Sequence, residues 1–425
     1  MQKIELELLK RILILDGAMG TMIQTYDLHE QDFKGSFLKG HTVDVKGNNE
    51  LLNLTRPEII IDIHKQYLAA GADIICTNTF NGNRISQADY HTQHLVYEIN
   101  YQGASLARQA VESLAETRPC FVAGAIGPTS KLASLSPDVN NPAARAISFD
   151  ELVITFTEQA QALLDGGVDI FLLETVTDTL NAKAALFALM QLFDKIGKQV
   201  PIMVSGTITD ASGRILSGQT LEAFLISISH APLLSVGLNC ALGAKELRPY
   251  IQELAKLSPF PISTHPNAGL PNEFGEYEQS PEQIAMLLEE FAQEGWVNIV
   301  GGCCGTTPAH IRAIAKAMKS YAPRLHYQSR GLSSSVKKRV NETNYSAGYK
   351  ELKVNYTLAS KPTNSLKDLM DLISQAEDEP TYNQIKTHFD QQKNLYHPEQ
   401  ALLINAHLFG RFQYLKTEGK LAKIH

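Results

Sequence analysis

Two cysteines stand side by side in "GGCCGTTP", residues 301–308, and only three more occur in the 425-residue chain. Cys303 and Cys304 admit three readings: a buried pair of small apolar side chains, a vicinal disulfide, or two ligands to one soft metal. The last needs a third thiolate from a distant part of the sequence. His265 in "STHPNAG" is the nearest histidine candidate, although a histidine before proline at a strand end is more often packed or hydrogen-bonded than ligating.

The surrounding elements say which cysteine can reach the pair. From residue 12 to about 320 one unit recurs: a short apolar, β-branched run, a loop, then a long amphipathic helix. The runs are "ILILDGAMG", "ADIICTNTF", "CFVAGAIGP", "VDIFLLETV", "PIMVSGTIT", "LLSVGLNCA", "FPISTHPNAG" and "VNIVGGCCG". Most are too apolar to have a solvent-facing side, which is the pattern of buried parallel strands. Thr55 with Glu58 and Ser148 with Glu151 fit capping boxes. Ser280 before Pro281 and Thr307 before Pro308 fit N-caps with proline at the first helical position. Gly71, Gly166 and Gly295 stand where helices should stop. Eight strand-then-helix units predict an α/β chain closed as a (β/α)8 barrel, with a doubly wound open sheet as the alternative.

In such a barrel the active site is built at the C-terminal ends of the strands. Those ends carry Asp16, Thr77 and Asn78, Glu174, Ser205 and Thr207, Asn239 and Cys240, Asn267, and finally Cys303 and Cys304. Cys240 therefore supplies the third thiolate. Cys76, inside an apolar run, and Cys120, at a strand start, are read as core or incidental residues. Three thiolates suit Zn2+ with its fourth position open, since a structural zinc site usually has four protein ligands. An electron-rich site of this kind is a poor activator of water and is better suited to holding another thiol as a nucleophilic thiolate. Asp16 and Glu174 could accept from an ammonium group, the backbone N–H groups around Gly17 could donate to a carboxylate, and Asn267 or Thr207 could complete the set. Together these groups describe a site for an amino acid that carries a thiol. A structural role for Asp16 and Glu174, as a pair capping a loop, is the competing reading.

The longer motifs "LDGAMGTMIQ", "KGNNELLNLTRPEII", "GPTSKLASLSPDVNNP", "LLETVTDTLNAKAA", "SGTITDASGRILSGQT", "GLNCALG", "HPNAGLPNEFGEY" and "NIVGGCCGTTP" together resemble the homocysteine-binding module of cobalamin-dependent methionine synthase. The resemblance spans about residues 8 to 325. The shorter signal, GxNC followed by GGCCG, is shared with homocysteine methyltransferases that use other donors. The resemblance implies zinc on Cys240, Cys303 and Cys304, the sulfur of L-homocysteine as fourth ligand, and methylation to methionine from a methylcobalamin and 5-methyltetrahydrofolate system. It places the head group of the amino acid on Asp16, Gly17, Glu174 and Asn267. No pterin-binding, cobalamin-binding or reactivation domain is visible, so methylcobalamin would come free or on a separate cobalamin- and folate-binding subunit. The pattern DxHxxG begins at Asp62 and His64 but meets Tyr67 instead of glycine inside a predicted helix, and is read as chance. The alternatives are a cobalamin-independent homocysteine S-methyltransferase with a sulfonium or betaine donor, and a non-catalytic zinc- and homocysteine-binding subunit of a split enzyme.

Composition bounds these readings. A net charge of -7 argues against a general nucleic-acid binder, and no apolar run approaches the roughly twenty residues of a membrane span. The N-terminal "MQKIELELLKR" has no secretory apolar core, and five sparse cysteines do not make a disulfide framework, so a reducing cytoplasm is expected. After the barrel, expected to occupy residues 1–325, the polar, serine-rich stretch 326–363 reads as a linker. Residues 364–425 read as a small, mainly helical domain. Its close is weakly similar to a winged helix, and docking is the favoured role over DNA binding.

Overall fold

The computed structural model describes residues 3–113, 118–210 and 212–324, and the single position 386. The expected linker and C-terminal helical domain lie outside the described residues, apart from Lys386.

All eight predicted runs form strands: β1 (Leu13–Ile14), β2 (Ile74–Cys76), β3 (Phe121–Ile126), β4 (Ile170–Val176), β5 (Ile202–Gly206), β6 (Leu233–Gly243), β7 (Ile262–Asn267) and β8 (Ile299–Val300). Each is followed by a long helix: α1 (Pro57–Ala70), α2 (Val96–Glu112), α3 (Phe149–Asp165), α4 (Thr179–Ile196), α5 (Leu221–Ile228), α6 (Ala244–Leu257), α7 (Pro281–Gln293) and α8 (Pro308–Met318). Every strand pairs in parallel with its sequence neighbour from β2 to β8, and β8 returns to β1 through Leu13 opposite Ile299. A parallel bridge from Leu15 to Ile74 joins β1 to β2, so the sheet is a closed barrel and the open-sheet alternative falls.

The two faces of each strand separate into two cores. Leu13, Leu15, Ile74, Phe121, Ala123, Ile170, Leu172, Met203 and Ile299 fill the barrel. Their sequence neighbours Ile14, Ile75, Val122, Phe171, Val204 and Val300 pack outward into the layer shared with the helices, as the two-residue alternation of a strand requires. An N-terminal helical turn, Lys3–Leu8, inserts Ile4 and Leu8 into the interior cluster and closes the end of the barrel where strands begin. Full burial of a leucine or isoleucine side chain such as these stabilises a fold by about 1.5–3 kcal/mol. The end that remains accessible is the one carrying the strand C-termini.

The helix signals hold with one exception. Ser148 and Glu151 form the reciprocal capping box of α3, Ser280 and Pro281 start α7, and Thr307 and Pro308 start α8. Gly71 ends α1 in the left-handed conformation at φ 111°. Thr55 does not cap α1: it closes a short preceding helix, Leu52–Thr55, where its hydroxyl donates to the Leu51 carbonyl, and Arg56 is the N-cap residue. Pro57 accounts for the difference, because proline prefers the first helical position and so sets the N-cap at Arg56, one residue beyond Thr55. Among the described residues no helix is long and apolar enough to cross a membrane.

Candidate metal and substrate site

β6 brings Cys240 to the rim by breaking its own regularity. Its register against β7 shifts between Asn239 and Gly243, and Cys240 and Ala241 both take left-handed backbone conformations, at φ 57° and 55°. Side chains other than glycine enter this region at a cost of order 1–3 kcal/mol. Thr175, at the corresponding end of β4, is left-handed too, at φ 56°. Asn239 ties the two distortions together: its side-chain Oδ1 accepts from the Thr175 N–H at 3.0 Å and its side-chain Nδ2–H donates to the Thr175 hydroxyl at 2.8 Å. Thr207 contributes to the same frame, its hydroxyl donating to the Asn239 carbonyl.

The cysteine pair is fixed by the turn between β8 and α8. The Cys303 N–H donates to the Pro266 carbonyl, and the Thr306 hydroxyl donates to the Cys303 carbonyl at 2.6 Å. Asn267, almost wholly buried, accepts from the Cys304 N–H at 3.1 Å, which makes it a brace for the cysteine loop and leaves it outside the residues lining the cavity. Gly305 sits at φ 79°, and a Cβ there would come within 2.3 Å of the Tyr277 Cβ; only glycine lets that ring approach. Tyr277 in turn stands close enough to the Cys304 thiol to help lower its pKa.

The sulfurs of Cys240, Cys303 and Cys304 all lie within 4.8 Å of one another, with Cys240 and Cys304 at 3.7 Å. This is the one group of three or more metal-suited side chains among the described residues, and it includes neither Cys76, Cys120 nor His265. A three-sulfur donor set at this spacing fits a soft, tetrahedral ion such as zinc. The thiols share their protons unequally. Hydrogen bonds from Cys240 and Cys303, with one from Tyr277, pull Cys304 down against the effect of burial. Hydrogen bonding to Cys240 and Cys304, then burial, pushes Cys303 well up.

A cavity of about 260 Å³ opens beside the sulfurs. Asp16, Gly17, Thr77, Asn78, Glu174 and Cys76 line it together with the cysteines. Asp16 is 3% exposed and accepts from the Cys76 N–H at 2.8 Å. Burial, helped by the nearby Glu174 charge and opposed by that hydrogen bond, pushes its carboxyl up to about 8. The backbone at Gly17 passes so close to Thr306 and Tyr67 that a Cβ would lie 2.8 Å from each. Cys76 is more than incidental packing: it touches the interior cluster and also forms cavity wall. His64 of the DxHxxG coincidence is wholly buried on α1 and reaches no open site.

Two lining or supporting groups escape the strand-end reading. Glu50, 4% exposed in a 3-10 turn of the first βα connection, lines the cavity and accepts from the Asn81 N–H. Tyr277 comes from the connection after β7. Neither stands at a strand terminus, although both fall within the longer motifs "KGNNELLNLTRPEII" and "HPNAGLPNEFGEY" that carry the family resemblance.

The homocysteine methyltransferase MmuM from Escherichia coli shares this architecture. Its metallated form is 24% identical with a TM-score of 0.56, covering 72% of this chain and 96% of MmuM. The oxidized form is 23% identical with a TM-score of 0.56, covering 72% of this chain and 95% of MmuM. At that identity the likeness establishes the barrel fold. The family model described as homocysteine S-methyltransferase matches residues 13–318, a span that contains the whole barrel, the three-cysteine cluster and the cavity; the chain belongs to the homocysteine S-methyltransferase family.

Proposed function

We propose that this chain methylates homocysteine to methionine, with zinc held by Cys240, Cys303 and Cys304. The observation that carries the reading is the convergence of three sulfurs from β6 and the β8–α8 turn on one wall of an open cavity. Zinc bound there would hold the substrate sulfur as a thiolate at neutral pH. The remaining work falls to the chain's own residues. Glu174 and Asp16 receive the substrate's ammonium group, which offsets the burial that keeps the Asp16 carboxyl protonated. Backbone N–H groups around Gly17 receive its carboxylate. Asn267 and Thr306 hold the cysteine loop rigid, so the sulfur is presented in one position. In the transfer itself the substrate sulfur forms a bond to the donor's methyl carbon as the carbon–donor bond breaks, and the thiol proton passes to solvent.

For the donor, the long motifs shared with cobalamin-dependent methionine synthase support methylcobalamin, supplied free or by a separate cobalamin- and folate-binding subunit. One observation favours a second reading. The cavity wall carries three carboxyl groups, Asp16, Glu50 and Glu174, and neither lysine nor arginine, which suits a cationic sulfonium or betaine donor. A competition assay decides: the zinc-loaded chain is given homocysteine with methylcobalamin, S-methylmethionine or betaine, each alone, and methionine is measured. Turnover of a sulfonium without cobalamin removes the reason for a corrinoid partner. Turnover with none of the donors, alongside retained homocysteine binding, turns the reading to a binding subunit.

A further inference from the structure

His265 is a buried polar side chain of the barrel interior that the three-sulfur cluster does not include. It lies on β7, 2% exposed, and neither ring nitrogen has a hydrogen-bond partner. A neutral imidazole carries one N–H donor and one acceptor, and buried donors in folded proteins find partners. The nearest acidic group is Glu174: its Oε2 stands 3.6 Å from His265 Nε2. Among the described residues it is the one carboxylate within ion-pair reach of this ring.

The setting explains why a histidine is tolerated there. Ile262 packs outward, so alternation along β7 turns Ser263 and His265 into the barrel. Ser205 follows Met203 on the interior face of β5, and Ser235 stands 3.4 Å from Ser263. The β5–β7 side of the interior therefore carries several polar side chains beside the apolar Met203 and Leu234, whereas β1–β4 contribute mainly aliphatic and aromatic groups. Glu174 and His265 both contribute to the cavity wall, and their side chains face one another there.

We propose that His265 is a positioning residue for Glu174: its Nε2–H holds one carboxylate oxygen, so that the other faces the cavity and takes the substrate's ammonium group. The separation of 3.6 Å is longer than a hydrogen bond. It closes by rotation about the terminal torsion of Glu174, which is broad and soft. Substrate entry supplies the cause, because an ammonium group on one oxygen fixes the plane of the carboxylate. This inference rests on the proposed role of Glu174 at that ammonium group.

The test compares homocysteine with 4-sulfanylbutanoate, the same molecule without its amino group, by calorimetric titration of the zinc-loaded full chain. The wild type is expected to prefer homocysteine by about tenfold or more, the scale of one charge-assisted hydrogen bond. His265→Phe, which keeps the bulk of the ring without a donor, is expected to lose that preference by weakening homocysteine alone. His265→Asn, which keeps an N–H donor, is expected to recover part of it. Equal weakening of both ligands in His265→Phe marks general damage and overturns the inference, as does an unchanged preference. If the Phe variant does not fold, an Asn variant that binds both ligands alike overturns it too. A wild type that binds both ligands equally overturns the role of Glu174 itself.

Discussion

The sulfurs of Cys240 and Cys304 are 3.7 Å apart although 64 residues separate them in sequence. One comes from a distorted end of β6, the other from the turn that follows β8, and the strand between them carries Asn267, which braces the second against the first. Left-handed backbone at Cys240 and Ala241 is the strain that this approach costs.

Removal of one thiolate should abolish tight zinc binding. Cys240→Ser, Cys303→Ser and Cys304→Ser are each expected to purify with well under about one tenth of the wild-type zinc, since a two-thiolate remnant no longer meets the tetrahedral preference. Cys76→Ser and Cys120→Ser are expected to retain one zinc per chain, because neither sulfur belongs to the cluster. Metal analysis of the five reduced proteins checks this, and loss of zinc from Cys76→Ser would require a different ligand set.

Gly305→Ala should damage the site through Tyr277. The new methyl group would have to fit where 2.3 Å separates it from the Tyr277 Cβ, at a backbone φ of 79°. The expected cost is about 2 kcal/mol or more of stability, with weaker zinc binding as the ring leaves Cys304. Denaturant unfolding and zinc titration of the variant measure both; an unchanged zinc affinity would mean that Tyr277 contributes nothing to the metal loop.

His64 should make the fold sensitive to mild acid. Burial without any partner lowers it from 6.5 to about 4. The unfolded chain therefore takes up a proton at this residue between those two values while the folded chain does not. Stability falls as pH drops through that window, by about 3 kcal/mol in all. Asp16 acts in the opposite sense: its folded value near 8 against 3.8 means stability declines as pH rises across that range. His64→Leu removes only the first effect. Urea unfolding of both proteins between pH 7 and 4 should show the wild type losing about 3 kcal/mol relative to the variant, and a difference independent of pH would contradict the assignment.

The barrel was legible because parallel strands are buried on both faces and read as continuous apolar runs, and all eight appeared as strands. Cys240 was legible from the rule that strand C-termini share one rim, although its distance from the other cysteines in sequence is large. Thr55 was misread because a cap signature was weighed without the proline two residues on. Tyr277 and Glu50 were missed because they reach the site from connections, whose paths depend on tertiary packing that no periodicity encodes. The positions of Asp16 and Glu174 on the cavity wall follow from the strand rule, whereas Asn267 faces the Cys304 backbone, a distinction that residue type alone does not make.

The most direct test of zinc-held homocysteine is zinc-edge X-ray absorption of the purified, reduced chain with and without homocysteine. One zinc whose shell changes from three sulfurs to four on adding the amino acid is the predicted result. A chain without zinc, or a sulfur count that homocysteine leaves unchanged, would contradict it.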